Sequence, residues 1–169
     1  MTLIVLGIDP GLANTGWGVV RVEGPRCEPL AYGCIKTAAS QELPARLTLI
    51  HDEVRAVVGR FRPDACAIES IFFGTNAKSA FATGQARGVA LLALAGHDIT
   101  LAEYSPVQIK SVVVGTGTAD KRQVTYMVRA ALGLDHDPKP DHAADALAAA
   151  LTHARLHGWG IATAEAVGA

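Results

Sequence analysis

Apolar residues run unbroken from Leu3 to Ile8 and stop at Asp9. A continuous run of that length predicts a central strand buried on both faces. Asp9-Pro10-Gly11 ends it in a turn, and Thr15–Val22 and Pro29–Thr37 read as two further strands. The turn signal Glu23-Gly24-Pro25-Arg26 separates these two, so short links and three strands predict an antiparallel meander. The period then changes. Leu47, Ile50, Val54, Val57, Val58 and Phe61 recur at helical steps, which predicts an amphipathic helix over Pro44–Phe61.

Pro63-Asp64 stops that helix, and Ala65–Glu69 is a short buried strand that ends in a carboxylate. An alanine-rich helix is predicted over Asn76–Ala95, closed by Gly96, with a fifth strand over Ile99–Tyr104. Ser105-Pro106 has the cap and first-position chemistry of a helix start, and that helix runs to Val114. Gly115-Thr116-Gly117 links it to a helix over Ala119–Leu132, and the link is too short to be a phosphate loop. After a loop at Asp135–Lys139, a last helix is expected from Asp141 to His157, closed by Gly158. The order βββαβαβ followed by helices defines an α/β fold, a five-stranded mixed sheet flanked by helices. Residues 1–158 are expected to form a single domain, and 159–169 a loosely ordered tail.

Bulk properties narrow the function classes. The chain has 169 residues, 50% of them hydrophobic and 18% charged, enough for one core and too few apolar residues in any run for a membrane span. Leu3–Ile8 lacks the basic start and cleavage site of a signal peptide, so a soluble cytoplasmic protein is expected. Cys27, Cys34 and Cys66 form neither a CxxC pair nor an even set, which argues against a disulfide framework and a zinc site. The net charge of −1 alone argues against nucleic acid, but its distribution permits it. From Ser70 to Leu134 the bases are Lys78, Arg87, Lys110, Lys121, Arg122 and Arg129, against only Asp98, Glu103 and Asp120.

The informative feature is where the remaining acids fall. Asp9 ends the first strand, Glu69 ends the fourth, and His142 and Asp145 lie in the first turn of the last helix. If strands one and four are parallel neighbours, both carboxylates emerge at the sheet edge where ligands gather. His142 and Asp145 are three apart and share a helix face. Such a set repels itself unless a divalent cation sits between its members. Each residue also has a plainer reading. Asp9 before Pro-Gly is a turn former, Glu69 a solvated strand-end acid, Asp145 an acid favoured by the helix dipole, and His142 a surface histidine. Asp141 reads mainly as a helix N-cap, accepting from the amide near Ala144.

Four stretches taken together add what spacing does not. Gly7-Ile8-Asp9-Pro10-Gly11 with Thr15-Gly16-Trp17-Gly18, Ala67-Ile68-Glu69, Gly84-Gln85-Ala86-Arg87-Gly88, and His142-Ala143-Ala144-Asp145-Ala146-Leu147 resemble the RuvC family of Holliday-junction resolvases. The similarity runs from Leu3 to His153. It implies a ribonuclease H-like fold, a homodimer, and one metal site per subunit carried by Asp9, Glu69, His142 and Asp145. Many relatives have aspartate where this chain has His142, although some carry histidine. Asp141 is held in reserve as a ligand, because it points about 100° away from the face of its neighbour.

The resemblance further implies Mg²⁺-dependent hydrolysis of DNA strands at four-way junctions, leaving a 5′ phosphate and a 3′ hydroxyl, in recombination and repair. Two divalent ions roughly 3.5–4 Å apart would activate water and stabilise the leaving oxygen, with Asp9 bridging. Imidazole suits transition metals better than carboxylate does, so Mn²⁺ is expected to serve at least as well as Mg²⁺. Phe72 and Phe73 follow Glu69 and read either as core or as a wedge stacked on an opened base, Phe72 matching a stacking position of the family. Lys110 and Lys121 match basic positions of the family, and are equally readable as solvated helix lysines. Asn76, Lys78, Arg87 and Arg122 complete the expected DNA-contacting set. Partnership with the RuvA–RuvB branch-migration complex is implied by the family alone.

Two rivals remain from the sequence. One is another ribonuclease H-like nuclease acting on RNA–DNA hybrids or in RNA processing. The other is a binding protein with a dead site, or one lobe of an actin-like ATPase; the short length and the intact site acids weigh against both.

Overall fold

A computed structural model of the chain describes residues 1–70 and 77–158. Five strands are present: β1 (Thr2–Asp9), β2 (Asn14–Glu23), β3 (Arg26–Lys36), β4 (Ala65–Glu69) and β5 (Thr100–Tyr104). The helices are α1 (Leu43–Phe61), α2 (Ala77–Leu94), α3 (Pro106–Val114), α4 (Lys121–Leu132) and α5 (Asp141–His153), the last continued by a π-helical turn over Ala154–Gly158. The sheet order is β3-β2-β1-β4-β5. The first three strands form the expected antiparallel meander, and β4 and β5 add in parallel on the other side of β1.

Burial on both faces explains the unbroken apolar run of β1. Val5 joins one core with Val20, Ala67, Leu147 and Leu151, beneath α3, α4 and α5. Leu6 and Ile8 join the other with Val19, Ile68, Ile50 and Ala90, beneath α1 and α2. Alternate residues of one strand thus face opposite helical layers. Among the described residues no helix is long and apolar enough to cross a membrane.

Four expectations are corrected. β3 begins at Arg26 instead of Pro29, because β3 is an edge strand and Pro29 sits where its register against β2 slips, between Val19 and Val20. α4 begins at Lys121 instead of Ala119: Asp120 accepts from the Gln123 amide while Gln123 accepts from the Asp120 amide, a reciprocal capping box. Asp141 is not the N-cap of α5; Pro140 holds that position and Asp141 is the first helical residue. Finally, the α-helical part of α5 ends at His153, and in the π-helical turn Arg155 donates to the carbonyls of Val112 and Val113 at the end of α3. The expectations for Phe72, Phe73, Asn76 and the 159–169 tail lie outside the described residues.

Close approach of α5 to the sheet positions the site. A Cβ on Gly7 would overlap the carbonyl oxygen of Ala146, and one on Gly16 would overlap that of His142. Only glycine lets the helix backbone settle on β1 and β2 at that distance. Consequently the first turn of α5 is pressed against the end of β1 where Asp9 emerges.

Candidate metal centre and active site

Strand register brings the first two acids together. β1 and β4 pair in parallel with Ile8 opposite Ile68, so Asp9 and Glu69 leave neighbouring strands at the same sheet edge. α5 supplies the other two. His142 Nδ1 donates to Asp9 Oδ2 at 2.8 Å, across 133 residues of sequence. Ligand atoms of Asp9, His142 and Asp145 all lie within 4.8 Å of one another. Glu69 stands beside this group, lining a cavity of about 270 Å³ with Asp145, Lys110 and Lys121.

The electrostatics are those of an anionic site short of positive charge. Burial pushes the Asp9 carboxyl up; the His142 hydrogen bond pulls it back, and nearby Asp145 adds repulsion. Glu69 is pushed up to about 7, first by burial and then by the charges of Asp9 and Asp145, with Lys110 and Lys121 opposing. A divalent cation would relieve both, and oxygen donors with one imidazole are a donor set that such ions accept. On that chemistry the residues fit a divalent metal.

The basic residues divide sharply. Lys121 reaches toward α5: its ammonium lies 3.2 Å from Asp145 Oδ2 and 3.6 Å from Asp141 Oδ2. Those carboxylates raise its pKa against the opposing effect of burial. Asp141 and Asp145, four apart, therefore share one helix face toward Lys121, and Asp141 stands outside the Asp9–His142–Asp145 group. Lys110 stands beside Glu69. Arg87, on α2, is ion-paired with Glu103 on β5. Lys78 and Arg122 are exposed. The seat of Lys121 on α5 had no signal in the sequence beyond its positive charge.

A mixed five-stranded sheet flanked by helices, carrying acids and an imidazole at the carboxyl ends of its central parallel strands, defines a metal-dependent nuclease of ribonuclease H-like fold. The family model described as "Crossover junction endodeoxyribonuclease RuvC" matches residues 5–153. A protein of that description from Ruminiclostridium cellulolyticum is 48% identical over 158 residues, covering 94% of this chain and 95% of the relative. The Thermus thermophilus RuvC structure superposes with a TM-score of 0.87 at 40% identity, covering 94% of this chain and 97% of that one. T. thermophilus RuvC in complex with Holliday junction substrate gives the same TM-score at 41% identity, covering 91% and 94%. The chain belongs to the RuvC family of crossover junction endodeoxyribonucleases.

Proposed function

We propose that this protein resolves four-way DNA junctions by paired symmetric nicks, one from each subunit of a homodimer, in recombination and repair. The observation that carries this reading is the convergence of Asp9, His142 and Asp145 beside Glu69, in a chain of this family. Asp9, Glu69, His142 and Asp145 are assigned as the residues that would hold two Mg²⁺ ions, with Mn²⁺ able to substitute. Bound there, the ions would supply a water acidic enough to lose its proton and attack a phosphodiester as hydroxide, and a counter-charge for the departing 3′ oxygen.

The chain's own side chains do the rest. Asp9 has a carboxylate oxygen within 4.8 Å of ligand atoms of both His142 and Asp145, and would lend its carboxylate to the metal. The hydrogen bond between His142 and Asp9 fixes the orientation of the imidazole before any ligand arrives. Lys110, beside Glu69, and Lys121 offer positive charge to the scissile phosphate. Phe72 is assigned the stacking role at the opened junction on family resemblance.

A stripe on α2 supports dimerisation. Phe81 and Leu92, 69% and 62% exposed, are eleven residues apart and so fall on one helix face, with Gly84 and Gly88 between them. Among the described residues a Cβ on either glycine would meet nothing, leaving room for a second backbone. Docking to a RuvA–RuvB-type complex is carried by the family alone.

The test is incubation with a labelled mobile four-way junction, beside duplex and RNA–DNA hybrid controls. Symmetric nicks in the junction alone are expected. Cleavage of the hybrid in its place would keep the metal site and reassign the substrate.

A further inference from the structure

Beyond the metal centre, a groove of about 740 Å³ runs along α4 and the loop leading to Pro140. It borders the active-site cavity, because Lys121 lines both and its ammonium reaches Asp141 and Asp145 alike. Four bases and three acids line it. Each acid is already engaged: Asp120 caps α4, Asp137 pairs with Arg129 at 3.2 Å, and Asp141 faces Lys121. Two cations are left over. Among the described residues neither Arg122 nor Lys139 has an ion-pair partner, and both are exposed.

The groove also presents an aromatic ring in an ordered setting. Tyr126 is 56% exposed, with the Arg129 guanidinium 5.2 Å from its ring centroid, and Asp137 holds that guanidinium in turn. An exposed aromatic in a groove that also carries unpaired cations suits an alternation of sugar and phosphate, the ring meeting deoxyribose and the cations meeting phosphates. It suits an acidic protein surface less well, since three carboxylates line the same groove. Continuity with the metal centre then decides which DNA it takes.

We infer that this groove binds the sugar–phosphate backbone of the DNA arm leaving the metal centre, with Arg122 and Lys139 on phosphates and Tyr126 against the sugar between them. The inference rests on the proposed nuclease reading and deepens it, by naming the path of the substrate away from the cut. Contacts of this kind carry no base information, so they add affinity and register to every sequence alike.

The test measures binding of a four-way junction by the full-length protein in Ca²⁺, across a salt series, with the double variant Arg122→Gln/Lys139→Gln and with Tyr126→Ala. Each lost phosphate contact should lower the salt slope by about 0.9, so the double variant, losing two contacts in each subunit of the dimer, should fall by about 3.6. Its affinity near 0.1 M salt should drop at least tenfold, and Arg122→Lys should keep the wild-type slope. Tyr126→Ala should weaken binding several-fold with the slope unchanged. A double variant whose slope and affinity match wild type would overturn the inference. Wild-type cleavage of the junction in Mg²⁺, run in parallel, separates that result from failure of the nuclease reading, which would appear as no cleavage.

Discussion

His142 Nδ1 lies 2.8 Å from Asp9 Oδ2, so β1 and α5 are joined at the candidate metal centre by a hydrogen bond. An imidazole in place of a carboxylate lowers the negative charge of the site and softens it. His142→Asp should therefore shift the ratio of Mn²⁺- to Mg²⁺-supported cleavage toward Mg²⁺ by roughly tenfold, about 1.4 kcal/mol of preference. Initial rates under each metal measure this, and equal ratios in both proteins would remove His142 as the source of metal preference.

Lys121 places a positive charge 3.2 Å from an assigned metal ligand, Asp145. A fixed ammonium there competes with a divalent ion for the same carboxylate. Lys121→Met should bind Mn²⁺ several-fold more tightly in a calorimetric titration while losing affinity for the junction. Weaker Mn²⁺ binding in the variant would show that the lysine organises the carboxylates instead of competing for them.

Glu69 gives a pH dependence of definite sign. Its folded pKa of about 7 lies above the ordinary 4.5, so the folded protein binds more protons than the unfolded chain between those values. Metal-free stability should fall as pH rises from about 4.5 to 7, and stay low above. Burial raises Asp9 as well, which acts in the same direction. Glu69→Gln should melt higher than wild type at pH 8 without metal, and the gap should narrow at pH 5. Thermal melts in chelator at the two pH values decide it; a variant less stable at pH 8 would contradict the assignment.

Gly16 tests how the helix is seated. An alanine there would drive its Cβ into the backbone of His142, costing about 3 kcal/mol and displacing an assigned metal ligand. Gly59, at an exposed position of α1 with nothing among the described residues near its Cβ position, is the control. Gly59→Ala should stabilise by about 1 kcal/mol and leave metal binding unchanged. Chemical denaturation with parallel Mn²⁺ titrations would separate the two, and a neutral Gly16→Ala would refute the close-packing account.

The site's skeleton was legible because it follows from local pattern. Apolar runs ending in Asp9 and Glu69 announced two buried strands with acids at their ends, and β1 and β4 do pair in parallel. The helix of His142 and Asp145 was likewise visible from its start. What sequence did not reveal depends on how distant elements meet. Nothing local says that Lys121 would reach Asp145, or that Arg87 would be drawn to Glu103. Nor does local pattern show that Glu69 would stand beside the tightest ligand group, not within it. The boundary errors have the same origin. Pro29 reads as the start of its strand until β3, at the sheet edge, proves to run back to Arg26, and Asp141 reads as a cap until Pro140 takes that position.

The central claim is that the acids at the end of β1 and on α5 hold metal that cuts junction DNA. Its most direct test follows a labelled four-way junction with wild-type and Asp9→Asn protein, each in Mg²⁺, Mn²⁺ or chelator. Paired symmetric nicks by wild type in metal are expected, with none in chelator and none by Asp9→Asn, while both proteins still bind the junction. Undiminished cleavage by Asp9→Asn, or by wild type in chelator, would contradict the account.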